Sequence, residues 1–334
     1  MIIGIFGLGS IGRRHLSNLL KFQKKYSVTK IKGFDLKIDK VKKFIKPHKD
    51  LVISNNFKTV AENCDIAFIC SPTNTHVSVI NRLLKFSKPH LYLEKPFSSS
   101  IKGCKEIIKK YKKINKKIAV GYMLVNHPVV QFTKSLIEKK IIGKIVSVRA
   151  ESGFYLPFWH PWENYKDFYM SHKKEGGGAL LDISHEINLL QYLLGKVSKV
   201  YGKVLTCSTL GITSDDLTVA NLEFKNNVYG QVQLDLLQFD KERSFKIIGD
   251  QGVIKGDIKN NRVLYSSNKK STWKKKQFNF DFNKIYYRQM DEFFFKLIKS
   301  KKNNLVNEAD AFHTMEIIEA IRKSSASNKL EKIN

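Results

Sequence analysis

The chain contains few cysteines and no stretch that is apolar enough to cross a membrane. Its 334 residues include four cysteines, and no two of them form a Cys-x-x-Cys pair. No cysteine and histidine residues have zinc spacing, so we expect free thiols in a reducing compartment and no metal site. No apolar run approaches the roughly 20 residues of a membrane span. The first residues also follow the pattern of a strand rather than of a basic leader, so we expect a cytoplasmic protein without a membrane partner.

Arginine is scarce relative to lysine. Of the 59 basic residues only eight are Arg, and the formal net charge is +29. Base readout and bidentate phosphate contacts favour arginine, whereas lysines are dispersed here over expected helix faces and turns. The chain also has no recognised nucleic-acid-binding motif. The charge therefore indicates a lysine-rich surface that attracts small anions, and we expect no nucleic-acid partner.

The order of apolar patterns predicts an α/β protein with two domains. Residues 1–122 alternate short apolar runs with amphipathic stretches, which indicates a doubly wound parallel sheet of the Rossmann type. Residues 123–334 begin with a helix and then alternate with period two between 197 and 265. This alternation indicates a C-terminal α+β domain with an open, mostly antiparallel sheet, for substrate binding and oligomerisation. Helical patterns over 286–299 and 308–324 end the chain, and the last helix is a candidate to pack on the Rossmann domain.

A glycine-rich turn lies between the first expected strand and the first expected helix. Gly7, Gly9 and Gly12 form a G-x-G-x-x-G pattern that encloses Ser10 and Ile11. In such a turn the first glycine allows a tight bend, the second lets a pyrophosphate approach the backbone, and the third packs the helix on the sheet. The amides at the start of the helix then bind the phosphates. The pattern therefore predicts a dinucleotide site.

An acidic residue ends the second expected strand. Asp35 follows Gly12 by 23 residues, close to the spacing of about 20 that is typical of a ribose-binding carboxylate. Its charge would repel a 2′-phosphate, so we expect NAD rather than NADP. Lys37, Arg13 and Arg14 are near enough in sequence to weaken that repulsion, and NADP stays open as an alternative.

Further short motifs follow the glycine-rich turn along the chain. They are Ser71-Pro72-Thr73-Asn74-Thr75-His76, Glu94-Lys95-Pro96, Gly121-Tyr122, His127-Pro128, Gly176-Gly177-Gly178 with Asp182 and His185, and Gly195. In this order, and together with the glycine-rich turn, they resemble the glucose-fructose oxidoreductase / inositol dehydrogenase / MocA family almost from end to end. The aromatic segment 151–169 resembles more particularly a subgroup associated with nonulosonic-acid sugar biosynthesis.

The resemblance implies hydride exchange between a nicotinamide and a hydroxyl of a sugar or polyol, in a cleft between two domains and often in dimers or tetramers. We expect a homo-oligomer, because an open sheet presents an apolar face that a partner subunit would cover. The resemblance also implies which residues line the cofactor path, with His76 acting as a helix-start residue rather than as a catalyst. These residues are Ser71, Pro72, Asn74, His76, Glu94 and Lys95.

Three residues are candidates for proton transfer, because oxidation of an alcohol needs a base near the hydroxyl. Lys95 follows an expected parallel strand, where Rossmann sheets place ligands, and its family counterpart relays a proton. Asp182 and His185 are three residues apart and would share one face of a single helix, with His185 as acid or base. In the family the spacing is four, with Gly at position 184 and a carboxylate at 188, where this chain has Ser184 and Asn188. These differences leave the role of Asp182 open, and an ordinary helix start is the alternative.

An aromatic segment at 154–165 carries two of the three tryptophans. Its prolines and its lack of periodicity predict a loop, and its rings can stack on a sugar. A hydrophobic plug or a subunit contact is the alternative. The expected substrate contacts are Lys95, Tyr122, His127, Trp159, Trp162, Tyr165, Asp182 and His185.

These features together predict an NAD(P)-dependent oxidoreductase. It would transfer hydride between a nicotinamide and a secondary hydroxyl or keto group of a sugar, a sugar derivative or a nucleotide sugar. One alternative is an NAD-dependent glycosidase that recycles its cofactor internally, and another is a non-catalytic regulator that binds NAD or a sugar. Lys95 and His185 argue against the regulator, because a sensor does not need a proton relay.

Overall fold

The computed structural model divides the chain into two compact units. The first unit comprises Met1–Tyr122 and Tyr286–Phe312, and the second comprises Met123–Ile285 and His313–Asn334. Residues 286–312, which the sequence pattern placed in the second domain, thus belong to the first unit. The residues that the structure describes are 1–161, 163–267, 272–299 and 305–333.

Strands and helices alternate in the N-terminal third of the chain, and strands dominate after it. The strands are β1 (Ile2–Phe6), β2 (Lys30–Phe34), β3 (Leu51–Ser54), β4 (Ile66–Ile69), β5 (His90–Leu93), β6 (Ile118–Val120), β7 (Ile145–Gly153), β8 (Val197–Leu205), β9 (Leu217–Phe224), β10 (Tyr229–Asp235), β11 (Glu242–Gly249), β12 (Gly252–Asp257), β13 (Arg262–Ser267), β14 (Lys274–Gln277), β15 (Val306–Asn307) and β16 (Glu331–Lys332). The α-helices are α1 (Ser10–Phe22), α2 (Ile38–Lys42), α3 (Phe57–Ala61), α4 (His76–Leu83), α5 (Cys104–Lys113), α6 (Pro128–Glu138), α7 (Ala179–Asp182), α8 (His185–Leu194), α9 (Ile285–Lys299) and α10 (Glu308–Ser327).

The first unit is built on a doubly wound sheet. Its strand order is β3-β2-β1-β4-β5-β6-β15, and all neighbours are parallel except β15, which pairs antiparallel with β6. Strands β4 and β6 are buried along their whole length, which explains their continuous apolar sequences. The Rossmann prediction is confirmed. In this topology ligands bind at the carboxyl edge of the sheet near the point where the strand order reverses, between β1 and β4.

Helix α9 returns to the first unit because its apolar side chains complete the core there. Phe293 packs edge-on against Phe68 of β4 and Tyr92 of β5, with ring centroids 6.1 and 5.4 Å away. Phe294 stacks on Tyr26 at 4.9 Å. The patterned helix was predicted, but its partner could not be, because the contacting residues lie more than 200 positions away in the chain.

The second unit is built on a larger, mostly antiparallel sheet with the order β14-β13-β12-β11-β7-β10-β9-β8-β16. The one parallel pair within the described residues is β7 with β10. Alternate residues along β10 are buried and exposed, so one face of the sheet is covered and the other is open. The predicted class of this domain is confirmed. The sequence predicted an apolar open face, but the face that the structure shows is mixed. It carries the charged and amide side chains of Arg149, Lys199, Gln231 and Lys246 together with the more apolar Tyr201 and Ile248.

No helix within the described ranges is both long and apolar enough to cross a bilayer. The four cysteines are free thiols, of which Cys64, Cys70 and Cys104 are buried and Cys207 is exposed. Burial raises the pKa of Cys64 and of Cys104 to about 12. Both of these thiols therefore stay protonated and unreactive near neutral pH.

Candidate functional site

The glycine-rich turn connects β1 to α1 and has the geometry of an anion-binding loop. Gly7 has a φ of 99°, and a side chain there would meet the backbone of Cys70 at 2.7 Å. A side chain at Gly12 would overlap the carbonyl oxygen of Gly7. Gly9, the residue at the N-terminal cap of α1, has open space where a side chain would lie, and α1 has neither a side-chain cap nor an acidic residue in its first turn. The first amides of α1, including those of Ser10 and Ile11, therefore fit a pyrophosphate group.

Asp35 lies beside this turn, directly after β2. Its Oδ2 accepts a hydrogen bond from the Leu8 amide and its Oδ1 accepts one from the Lys37 amide, each at 2.8 Å. A carboxylate has about four acceptor positions, so capacity remains for the hydroxyls of a ribose. Arg13 is oriented towards Phe44, with its guanidinium 4.7 Å from the ring centroid. The turn and Asp35 together fit the adenosine half of a dinucleotide.

The loops that follow β4 and β5 are tied together by His76. This residue begins α4 and is 1% exposed. Its Nε2 lies 3.0 Å from the Ser71 carbonyl oxygen, and its Nδ1 lies 3.3 Å from that of Phe97. Burial lowers the pKa of His76 even though these oxygens favour the charged form. His76 thus holds the backbone of both loops, while Pro72 and Asn74 are exposed on the loop after β4.

Lys95 lies at the carboxyl edge of the same sheet, two residues after β5, and is partly exposed. The preceding residue, Glu94, is buried, and its Oε1 is 2.6 Å from the Nε2 of His15 on α1. A side chain at Gly121, after β6, would come within 3.1 Å of the Glu94 carboxylate. The position of Glu94 is thus restricted by α1 on one side and by the segment after β6 on the other. His15 is a residue of this site that the sequence motifs did not indicate.

Tyr122 and His127 are both in the protein interior. Tyr122 is 1% exposed and His127 is 0% exposed. His127 is the N-terminal cap of α6, where its Nδ1 accepts a hydrogen bond from the Val129 amide at 3.3 Å. Its ring also packs edge-on against Phe280 at 4.9 Å. These contacts give His127 a capping function, and a role in substrate binding stays a prediction for both residues.

Asp182 and His185 do not share a helix, contrary to the prediction. Helix α7 ends at Asp182 and α8 begins at His185. Between them the Ser184 hydroxyl donates a hydrogen bond to the Leu181 carbonyl oxygen at 2.7 Å. This side-chain bond satisfies a carbonyl that a continuing helix would otherwise use, so the chain turns at this point.

The side chain of Asp182 is oriented by two hydrogen bonds within the second unit. Its Oδ1 accepts the hydroxyl hydrogen of Tyr169 at 2.6 Å, and its Oδ2 accepts the Gly178 amide at 3.2 Å. His185, three residues later, is 5% exposed. The oriented Asp182 carboxylate is suited to accept a hydrogen bond from a hydroxyl group of a substrate.

A distant aspartate holds the start of α7. Asp215 precedes β9, and its carboxylate Oδ2 accepts the Leu180 amide at 2.7 Å while its backbone carbonyl accepts the Ala179 amide at 2.8 Å. Gly178 has a φ of 116° and lies so close to Asp215 that a side chain would overlap the Asp215 carboxylate. Asp215 therefore positions the segment that carries Asp182. The only sequence signal for it is a pair of acidic residues, Asp215 and Asp216, just before a strand.

The aromatic segment after β7 forms short 3-10 turns joined by loops. Trp159 is 41% exposed and packs on Phe154 with ring centroids 4.5 Å apart. The Tyr165 hydroxyl donates a hydrogen bond to the Leu210 carbonyl oxygen at 2.9 Å, which anchors the segment to another loop. Trp162 lies outside the described residues. Of the three substrate contacts predicted within this segment, Trp159 is thus the one for which the structure describes an exposed ring.

Comparison with known proteins agrees with this geometry. A family model described as "Oxidoreductase family, NAD-binding Rossmann fold" matches residues 1–122. A second, described as "Oxidoreductase family, C-terminal alpha/beta domain", matches residues 134–334. The chain belongs to the glucose-fructose oxidoreductase / inositol dehydrogenase / MocA family. The predicted family, the Rossmann fold with NAD as its cofactor and the oxidoreductase class are thereby confirmed.

Individual relatives are distant. Myo-inositol 2-dehydrogenase of Thermotoga maritima is 26% identical over 270 residues, which are 77% of this chain and 75% of that protein. The 2,7-anhydro-N-acetylneuraminate hydratase of Escherichia coli is 26% identical over 200 residues, or 58% of this chain and 52% of that protein. Across three curated relatives the chain spans 52% to 75% of the relative's length. The solved structure of a levoglucosan dehydrogenase in complex with NADH and levoglucosan has the same fold, with a TM-score of 0.87 and 18% identity, and the match covers 100% of this chain and 99% of that chain.

Proposed function

We propose that this family member catalyses reversible hydride transfer between NAD and a secondary hydroxyl group of a sugar, a sugar derivative or a nucleotide sugar. The observation that carries the proposal is the position of Lys95, which follows β5 at the carboxyl edge of the sheet that also bears the glycine-rich turn. An ammonium group at that edge is placed to contact a ligand bound by a Rossmann sheet. The myo-inositol dehydrogenase among the relatives supports a polyhydroxy substrate.

In the proposed reaction each candidate residue has a separate task. NAD, when bound, accepts the hydride. Lys95 donates a hydrogen bond to the reacting oxygen and relays the proton of that hydroxyl. Asp182, whose carboxylate is oriented by Tyr169 and Gly178, accepts a hydrogen bond from a second substrate hydroxyl. His185 serves as the base that takes up the relayed proton during oxidation and as the acid that returns it during reduction.

The first test is the absorbance of NADH when the purified protein and NAD meet a panel of polyols, aldoses, amino sugars and nucleotide sugars. We expect signal with one class of sugar. Lys95→Ala should lower kcat/KM by about 100-fold or more, because general acid–base catalysis typically contributes that much. Lys85→Ala, which removes an exposed lysine of the same unit, is the matched control and should keep the activity. Equal activity in both variants would contradict the role of Lys95.

A second candidate function is a reaction in which NAD is used and regenerated within one cycle, as in the NAD-dependent glycosidase considered above. The observation that favours it is the similarity to a 2,7-anhydro-N-acetylneuraminate hydratase. Such an enzyme would retain NAD through purification and would convert substrate without net NADH. Nuclear magnetic resonance of the sugar, recorded together with NADH absorbance, separates the two candidates.

We also infer a homo-oligomer, a dimer or a tetramer, from the open face of the larger sheet. Tyr229 and Ile248 are 61% and 38% exposed there. Subunits that meet on this face would cover both side chains. Light scattering should then report a multiple of the chain mass, and Tyr229→Lys should shift it towards the monomer, whereas a monomeric native protein would contradict the inference.

A further inference from the structure

In the second unit, an aromatic loop and a group of cations lie together where β7 and β10 end and β11 begins. Strand β7 ends at Gly153, and that residue pairs with Asp235 at the end of β10 and with Glu242 at the start of β11. The aromatic segment leaves the sheet at this edge. Lys241 immediately precedes β11 and reaches the same edge from the other side.

Lys241 contacts the exposed tryptophan of that segment. Its Nζ lies 5.1 Å from the centroid of the Trp159 ring, within the range of a cation–π interaction. The side chain is exposed overall, but partial loss of hydration around its ammonium, together with the nearby Arg243, lowers the pKa of Lys241. The ring and the ammonium thus form one accessible surface.

The two other cations near Lys241 are each paired with a carboxylate. Arg243 Nε lies 2.8 Å from the Oε1 of Glu186, and Lys259 Nζ lies 2.5 Å from the Oδ1 of Asp240. Lys241 forms no ion pair with any described residue. Its positive charge is therefore the uncompensated one in this group, and an anionic ligand would neutralise it.

This group also lies close to the predicted catalytic histidine. Glu186, the partner of Arg243, is 1% exposed and follows His185 directly at the start of α8. Arg243 also donates a hydrogen bond to the Ser152 hydroxyl at 3.3 Å, which fixes it against β7. Through Arg243 and Glu186 this group of cations is thus connected to the first turn of α8, the helix that begins at His185.

We propose that Trp159 and Lys241 form a subsite for the anionic group of an acidic sugar. The Trp159 ring contacts the apolar face of the sugar ring, and the Lys241 ammonium pairs with a carboxylate or a phosphate that the sugar carries. The inference rests on the proposed function, because it assigns the substrate class of that reaction. Recognition of the hydroxyl groups of a neutral sugar does not require a fully charged side chain. A neutral sugar would also leave the charge of Lys241 uncompensated, so this charge favours an anionic sugar.

The test measures binding rather than turnover, by calorimetry on the full chain with NAD present. The probes are D-glucuronate, D-glucose 6-phosphate, the neutral amide D-glucuronamide and D-glucose. We expect glucuronate, glucose 6-phosphate or both to bind about fivefold or more tightly than the two neutral sugars, as a partly screened ion pair allows. Tighter binding of glucuronate would indicate a substrate that carries a carboxylate, and tighter binding of glucose 6-phosphate would indicate a phosphorylated substrate.

Three variants localise the effect. Lys241→Met should abolish the preference for the anionic probes, and Lys241→Arg should keep it. The matched control is Lys255→Met, because Lys255 forms the same kind of contact with Trp273, at 4.7 Å, elsewhere in the same unit. The control should behave as the native protein does.

Several outcomes would overturn the inference. Glucuronate could bind no more tightly than glucuronamide, no probe could bind at all, or Lys241→Met and Lys255→Met could have equal effects. If Trp159→Ala changes the mass of the oligomer, the surface formed by Trp159 and Lys241 is a subunit contact instead. If NADH forms from neutral sugars while no charge preference exists, the proposed function stands and only the subsite fails.

Discussion

The Nε2 atom of His15 lies 2.6 Å from the Oε1 atom of Glu94, and both side chains are buried. His15 belongs to α1, the helix whose first amides fit a pyrophosphate, and Glu94 precedes Lys95. Rings of Phe68 and Tyr92 surround the imidazole, with centroids 5.5 and 5.1 Å away. The contact therefore ties the phosphate-binding helix to the strand end that carries Lys95, and His15 acts as a positioning residue.

Replacement of His15 by Phe should destabilise the protein by about 1–3 kcal/mol, because it leaves a buried carboxylate without its donor. The free energy of unfolding, measured in urea without NAD, checks this. The double variant His15→Phe with Glu94→Leu should recover much of the loss, because removal of both polar partners costs less than removal of one. A single variant as stable as the native protein would show that the contact contributes nothing.

The position of Asp35 predicts how cofactor choice can be changed. Asp35→Ser removes the charge that would meet a 2′-phosphate, so the ratio of kcat/KM with NADP to that with NAD should rise about tenfold, equivalent to about 1.4 kcal/mol. Asp39→Ser, an exposed acidic residue in the first turn of α2, is the matched control and should leave the ratio unchanged. An unchanged ratio in Asp35→Ser would refute the assignment of the ribose contact.

The sequence was informative where structure is set by local patterns. The glycines at positions 7, 9 and 12 specify a turn through backbone geometry alone, and the period-two alternation of strands such as β9 and β12 follows from one buried face. Those elements were predicted with their bounds within a few residues. The family resemblance rested on the same local motifs, and the fold that it implied is the fold that the structure has.

Features that depend on distant partners were not predictable. Strand β15 has two residues and exists because it pairs with β6, and α9 joins the first unit through contacts with α1 and β5. Asp215 caps α7 from 35 positions away in the chain. At the break between Asp182 and His185 the Ser184 hydroxyl donates a hydrogen bond to the Leu181 carbonyl oxygen, a contact that periodicity does not register. The candidate site was thus identifiable by residue, but its supporting contacts were not.

Asp215 should influence activity through the segment it holds. Asp215→Ala removes the acceptor for the Leu180 amide and should destabilise the protein by about 1–2 kcal/mol, as loss of a helix cap does. It should also lower kcat more than it changes the affinity for NAD, because Gly178 and Asp182 lie on that segment. Burial raises the pKa of Asp215, so its ionised form is disfavoured. The uncharged Asp215→Asn keeps an acceptor and should retain both stability and kcat, and equal losses in the two variants would contradict a capping role.

Buried His76 predicts how stability depends on pH. Burial lowers the pKa of His76 in the folded protein below its ordinary value of 6.5, while the unfolded chain keeps that value. Below pH 6.5 the unfolded state therefore binds a proton that the folded state does not, and stability is lost as the pH falls towards and through the folded pKa. The contribution of His76 is thus fully present above pH 6.5 and declines below it, by at most about 1.4 kcal/mol per pH unit.

The variant His76→Asn has no titrating group at this position and isolates that effect. His90, whose pKa is lowered to about 4 by burial and by Lys116 and Lys117, titrates in both proteins and cancels in the difference. Unfolding in urea at a series of pH values between about 7.5 and about 5 should show the native protein losing its advantage over His76→Asn as the pH falls. A difference in unfolding free energy that stays constant over this range would mean that His76 is protonated equally in the folded and unfolded states, and that its two carbonyl contacts offset the effect of its burial.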